Sequence, residues 1–414
     1  VTHSDISREP GTVLAGARAV LAWALFTYSA STVVAPVVPG LAVALMLLGS
    51  LLVVPFAYGR RHELMRTADA VPITGLFAFL AIGALGATLW HAPTWLVINY
   101  GRLFCALLLI GAIRWLKPPE WVFYAGCAVG GLLAGAFAVW QIVVEGAARA
   151  SGPDVYFGWQ RATIFGALSA VLGFLPILAN PSGWRFGGRV LLAAGAIGGV
   201  TAAVLSGSRG AWLACAVLAL WRVGRSGLWP ASVLLVVIVG ASIMLPVLSD
   251  RWDAAFGDIM LYTAGQSETS IGLRFGMWQA AAAAFAAHPL VGVGPMGFHA
   301  VLAERVAEGL AATKMLEFDH AHSDVMHALA AGGIVQFAGL VAAYVAPWLY
   351  FRRVAAERPS AAARGGKALI VAFVVLGLSD TMFVHRIALS VYVLFACILV
   401  AYAGMPDETS GSDT

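Results

Sequence analysis

Runs of about 20 predominantly apolar residues, each long enough for a helix to cross a bilayer, recur along the 414-residue chain. They leave little room for any other architecture. The spanning requirement selects twelve segments: roughly 13–32, 37–57, 71–90, 94–115, 121–144, 161–179, 188–206, 209–222, 229–248, 323–350, 367–385 and 387–403. The runs are continuously apolar rather than alternating, which favours helices over barrel strands. Charged residues make up 11% of the chain, against about 25% in a soluble domain, and the mean hydropathy is +0.85. An ordinary water-soluble enzyme is therefore excluded. The expected fold is an all-α polytopic membrane protein of about 12 transmembrane helices, with residues 1–414 forming a single transmembrane domain.

The net charge is only +4, and the basic residues fall in short clusters between apolar runs rather than on one stripe. Nucleic acid is not the expected partner. Cys105, Cys127, Cys215 and Cys397 each lie inside an apolar run without CxxC or Cys/His spacing, so they imply neither a disulfide framework nor a zinc site. From the polar start, VTHSDISREPG, no removable signal peptide is expected. Lys and Arg set the orientation. Arg60, Arg61, Arg66, Arg114, Lys117, Arg185, Arg189, Arg222, Arg225, Arg352, Arg353, Arg358, Arg364 and Lys367 gather on one side if both termini are cytoplasmic. The interval 249–322, between the ninth and tenth spans, then lies outside. It is expected to be a structured loop, with a helix over 273–287 closed by Pro289 and an interfacial helix over 298–312.

Arg102, Arg161, Arg209 and Arg386 stand at or just inside the outer ends of spans, where an arginine nearing the bilayer centre costs roughly 2.5–3.5 kcal/mol. Each has a plain reading: snorkelling to headgroups, or pairing with Asp250, Asp380 or a helix carbonyl. As a set, together with Arg274 in the loop, they lack enough outer carboxylates. A shared polyanionic ligand is the alternative, because guanidinium matches phosphate oxygens in bidentate geometry.

Residues 318–333, FDHAHSDVMHALAAGG, place histidines at the entrance of the tenth span. His322 precedes Ser323, an expected N-cap, and is the candidate general base, with Asp319 or Asp324 as a possible supporting carboxylate. Two other readings stand beside this one. Asp319, His320, His322, Asp324 and His327 are of metal-ligand type, but on a helix starting at Ser323 only Asp324 and His327 share a face. The cluster also fits a polar cap that satisfies helix-end donors. HPLVGVGPMGF (288–298) has glycines but no preceding strand and no Lys-Ser/Thr, so a nucleotide loop is rejected in favour of a tightly packed turn.

SGSRGAW (206–212), LRFGMW (273–278), HPLVGVGPMGF and HSDVMHALAAGG (322–333), in that order, resemble the core region shared by O-antigen ligases, O-antigen polymerases and bacterial O-oligosaccharyltransferases. The resemblance covers about residues 200–350. It implies a GT-C-type glycosyltransferase of the bacterial inner membrane, with its active site on the periplasmic side and residues 249–322 as a periplasmic loop. The implied donor is an undecaprenyl-diphosphate-linked glycan, with no metal, nucleotide or other cofactor. Arg209 and Arg274 then take the place of diphosphate-binding arginines and His322 that of the catalytic histidine. Arg161 joins them as a diphosphate candidate, with Arg102 and Arg386 as weaker ones. The ligase pattern sets a glycine after nine intervening residues beyond His-[Asn/Ser/Gln], here His322, Ser323 and Gly333, while Gln336 stands where a small or hydroxyl residue is expected three positions after that glycine.

Within this group the ligase, which transfers the glycan en bloc to lipid A-core, is favoured. The polymerases resemble one another in an outer-loop arginine followed after ten residues by glycine, but Arg149, Arg161 and Arg274 lead at that offset to Gln160, Leu172 and Phe285. A protein O-oligosaccharyltransferase would usually carry a further C-terminal region. The competing class is a transporter or flippase for a lipid-linked anion, for which inverted repeats with interrupted helices are not visible.

Overall fold

The computed structural model describes residues 9–35, 38–58, 67–153, 161–223, 257–258, 260–261 and 268–405, and among these it is helical without strands. The helices are α1 Glu9–Ser31, α2 Val38–Tyr58, α3 Ala70–Leu89, α4 Thr94–Leu116, α5 Glu120–Val143, α6 Ala162–Ala179 and α7 Phe186–Leu205. They continue as α8 Arg209–Val223, α9 Ser270–Ala287, α10 Phe298–Ala307, α11 Asp324–Glu357, α12 Ala361–Ser379 and α13 Arg386–Gly404. Eight of them, α3 to α7 and α11 to α13, are long and apolar enough to cross a membrane, and the chain is a polytopic membrane protein. Helices α1, α2 and α8 occupy three further expected spans. The expected span 229–248 lies outside the described residues.

Two boundaries differ from expectation. The span read as 367–385 is Ala361–Ser379. It begins early because Ser360 caps it, accepting from the Ala363 N–H at 3.1 Å, and because Arg364 is tied to the carbonyls of Ala179 and Asn180. Residues 380–385 are thereby released as a turn. The interfacial helix read over 298–312 ends at Ala307, where the chain turns through Glu308 and Gly309.

Packing follows from small residues and one central helix. Nearly every side chain of α13 is buried, and it packs against α4, α11 and α12. Tyr28 and Phe123 both meet Phe395 edge-on. Helices α5 and α7 approach so closely that a Cβ on Gly131 or Gly135 would collide with the backbone of Gly195 or Gly198, the small-residue contact that membrane helices use in place of hydrophobic driving force.

The two ends of the bundle differ in chemistry. At one end, Arg114 is buried against Asp69 and donates to the carbonyls of Val400 and Ala401, while Arg358 donates to Ala403. Removing one partner of such a buried pair costs about 3–5 kcal/mol. The opposite end, called here the cap end, carries α9, α10 and a 3₁₀ turn at Thr313–Glu317. These share a small core of Leu273, Met277, Phe298, Leu302 and Met315 with Ala330 of α11.

The glycine turn and α11 are knitted together. At Gly333 the helix breaks, with φ 61° and ψ −156°, a conformation essentially restricted to glycine. The break frees backbone groups, and the 289–294 turn satisfies them. Val293 and Gly294 donate to Ala330 and Ala331 at 2.9 and 2.8 Å, and Ile334 donates to Pro289 at 2.8 Å. A Cβ on Gly333 would strike the carbonyls of Pro289 and Leu290. The two motifs are therefore halves of one backbone joint that orients the start of α11.

Candidate functional site

At the cap end the loop 318–323, the start of α11 and the turn 380–385 converge beneath α9. Trp278 of α9 holds the loop by donating from Nε1 to the Ala321 carbonyl at 2.9 Å. His322 adopts φ 47°, a left-handed conformation uncommon outside glycine but more tolerated by histidine. Strain of this kind persists where surrounding structure enforces it, often at functional positions. Its ring meets Phe318 edge-on, and its Nδ1 lies 2.9 Å from Asp380 Oδ1.

Asp380 ends α12 and is 4% exposed. Its Oδ1 also accepts from the Thr381 N–H at 2.8 Å. Burial alone would raise its carboxyl, yet the His322 hydrogen bond, aided by the field of the neighbouring imidazoles, outweighs that and holds it below the usual range. The ionised carboxylate accepts from Nδ1–H, which leaves the His322 lone pair on Nε2.

His320, behind His322, bonds through Nδ1 to Asp319. That hydrogen bond holds the Asp319 carboxyl below its usual range against partial burial, with Arg161 contributing its positive field. His385 stands 5.5 Å from His320, centroid to centroid. Burial lowers its imidazole to about 4 in spite of the Asp380 charge, and His320 and Arg161 depress it further.

These contacts correct the expected supporting carboxylates. Asp319 serves His320, not His322. Asp324 is buried and accepts from the Phe383 N–H at 3.1 Å, anchoring the 380–385 turn to α11. The residue beside His322 is Asp380, which the sequence reading offered only as a partner for an arginine. An acid within the apolar run LGLSDTMFV was the signal, since such residues are costly unless they have a role. Ser323 does occupy the N-cap position, but its side chain makes no capping bond. The metal-type set is also regrouped: His320, His322 and Asp380 come within 4.8 Å of one another, without Asp324 and His327.

The arginines divide. Arg161 occupies the N-cap position of α6 without a side-chain capping bond, within electrostatic reach of Asp319 and His385. Arg209 opens α8, whose Gly210 abuts Ser379 so closely that a Cβ would collide with its hydroxyl; this contact brings the start of α8 beside Asp380. Arg209 lies 3.8 Å from Asp258. Arg274 sits on α9 one turn before Trp278, half-buried and, among the described residues, without an ion pair. Arg102 donates to Ser390 at 2.9 Å, and Arg386 lies over the Trp95 ring at 5.8 Å.

This geometry offers one imidazole with an available lone pair, fixed by a buried carboxylate, and cations suited to a phosphate-bearing ligand. Residues 194–341 match the family model described as O-antigen ligase. Over 162 residues the chain is 25% identical to an uncharacterized protein of Haemophilus influenzae, a match spanning 37% of this chain and 41% of that protein. The family segment contains Arg209, Arg274, His322 and Gly333 and stops short of Asp380. Over this segment, and not over the rest of the chain, the protein is similar to the O-antigen ligase family.

Proposed function

We propose that this protein is an O-antigen ligase, a GT-C-type glycosyltransferase of the bacterial inner membrane. It moves an assembled glycan en bloc from undecaprenyl diphosphate to a terminal sugar of lipid A-core. In this reading residues 1–414 form one transmembrane domain, residues 249–322 a periplasmic loop, and the cap end faces the periplasm. The observation that carries it is the His322–Asp380 pair, with Arg161, Arg209 and Arg274 on the elements that pack nearby.

The chemistry follows from those groups. An acceptor hydroxyl attacks the anomeric carbon while its proton passes to His322 Nε2. The bond from that carbon to the diphosphate oxygen breaks, and the departing diphosphate keeps the electron pair. Preorganised guanidinium groups at Arg209 and Arg274, with Arg161, stabilise that charge in the role a metal fills elsewhere. One displacement inverts the anomeric configuration. Asp380 is a positioning residue: it holds the tautomer and stabilises the imidazolium that forms.

Reconstitution tests the reading. Purified protein given a lipid-diphosphate glycan and lipid A-core should form the covalent conjugate with no energy source. Glycan extension on the donor lipid would indicate a polymerase instead, transfer to protein an O-oligosaccharyltransferase, and movement of intact donor across the bilayer a flippase.

A further inference from the structure

The transfer reaction leaves one arrangement beside the base unexplained. His320 is 2% exposed, its Nδ1 is engaged by Asp319, and its Nε2 is buried without a hydrogen-bond partner among the described residues. Protonation at Nδ1 leaves the lone pair on Nε2. That lone pair faces another acceptor, Asp380 Oδ1, 3.8 Å away, and His322 Nδ1 lies 2.9 Å from the same oxygen. A lone pair and a carboxylate oxygen cannot bond to each other, but a cation between them satisfies both.

We infer that His320 Nε2, His322 Nδ1 and Asp380 Oδ1 form a binding site for a divalent transition-metal cation, zinc by ligand type, whose occupancy switches the transferase off. Two imidazoles and one carboxylate with an open fourth position suit zinc, whereas magnesium and calcium prefer all-oxygen shells. Tetrahedral bonds of about 2.0–2.1 Å separate neighbouring ligand atoms by roughly 3.3 Å, which lies between the 2.9 and 3.8 Å seen here. Asp319 on the far nitrogen of His320 is the carboxylate that orients a ligating imidazole and raises its basicity. His385, whose Nε2 is likewise without a partner among the described residues, stands 5.5 Å from His320 between ring centres and is a candidate fourth donor.

Switching follows from the proton balance. In the metal-free site His322 keeps its proton on Nδ1 and its lone pair on Nε2. A cation taking Nδ1 displaces that proton, and the neutral ring then carries it on Nε2. His322 becomes a donor and has no lone pair for the acceptor hydroxyl. The site itself stands on geometry alone; the inhibition rests on His322 acting as the base.

Full-length protein in nanodiscs, stripped with EDTA, is titrated with zinc against a fluorescent zinc indicator, and ligation is assayed in parallel. One zinc per chain is expected. Asp319→Asn, at a loop side chain 64% exposed, should weaken binding about 10–100-fold, and His320→Gln should abolish it. Wild-type ligation should fall as zinc occupies the site, while His320→Gln ligates without zinc and is insensitive to it. No stoichiometric binding, or binding that both variants leave unchanged, would overturn the site, whatever the ligation assay shows. Activity lost on stripping and restored by zinc would overturn the inhibition.

Discussion

His322 Nδ1 and Asp380 Oδ1 meet at 2.9 Å although 58 residues separate them. The contact gives a histidine at the mouth of one helix a fixed tautomer, supplied by the end of the next. It exists because α12 stops at Ser379 and because the buried Asp324 carboxylate holds the following turn at Phe383.

General-base catalysis typically contributes 10²–10⁴-fold, so His322→Ala should lose ligation by about that factor while remaining folded and still binding donor. Asp380→Asn should lower kcat more than it changes KM. His322→Gln, which keeps a polar side chain but has no ring nitrogen to accept the proton, should be as impaired as His322→Ala. His327→Ala should retain substantial activity; full activity in His322→Ala would remove the base assignment.

Replacing Arg209 or Arg274 by alanine should sharply reduce donor use, with lysine restoring only part because it lacks the planar fork. Arg102→Ala should have a smaller effect, since Ser390 already engages that side chain. Donor titrations in reconstituted membranes decide this. Well-folded alanine variants ligating at wild-type rates would exclude the diphosphate role.

Stability should fall in mild acid through His385. Its folded value of about 4 lies below the 6.5 of an unperturbed histidine, so between these values the unfolded chain binds more protons. The stabilisation is complete above about pH 6.5 and is lost as the pH drops toward 4. Thermal unfolding at pH 7.5 and pH 5 should show a smaller difference in His385→Gln than in wild type.

Gly333→Ala should destabilise the cap end. The backbone conformation alone costs a non-glycine residue about 1–3 kcal/mol, and the Pro289 and Leu290 carbonyls leave no room for a Cβ. A lowered Tm, with easier proteolysis between α9 and α11, is the expected outcome. Unchanged Tm would mean that the joint is not structurally important.

Much of the site was legible as type but not as partnership. The segment 318–333 announced histidines at a helix entrance, and HPLVGVGPMGF announced a close-packed turn, because both are local patterns. Nothing local said that the turn would satisfy the broken backbone at Gly333, or that His320 and His322 would meet Asp380 rather than Asp324. The run 367–385 reads as one span in spite of Asp380, because apolar residues resume at Met382, and its true end at Ser379 shows only in the fold.

The sequence by itself determined that this chain is a helical membrane protein, where most of its spans run, and which ends are basic. Those properties follow from apolar run length and from the placement of charge, which the bilayer reads segment by segment. Only the tertiary structure decided that Asp380 serves His322, that Gly210 brings the start of α8 against Ser379, and that Asp69 neutralises Arg114. Each of those pairings joins residues far apart in the chain. It depends on which helix faces pack together, and no periodicity within a single helix encodes that choice.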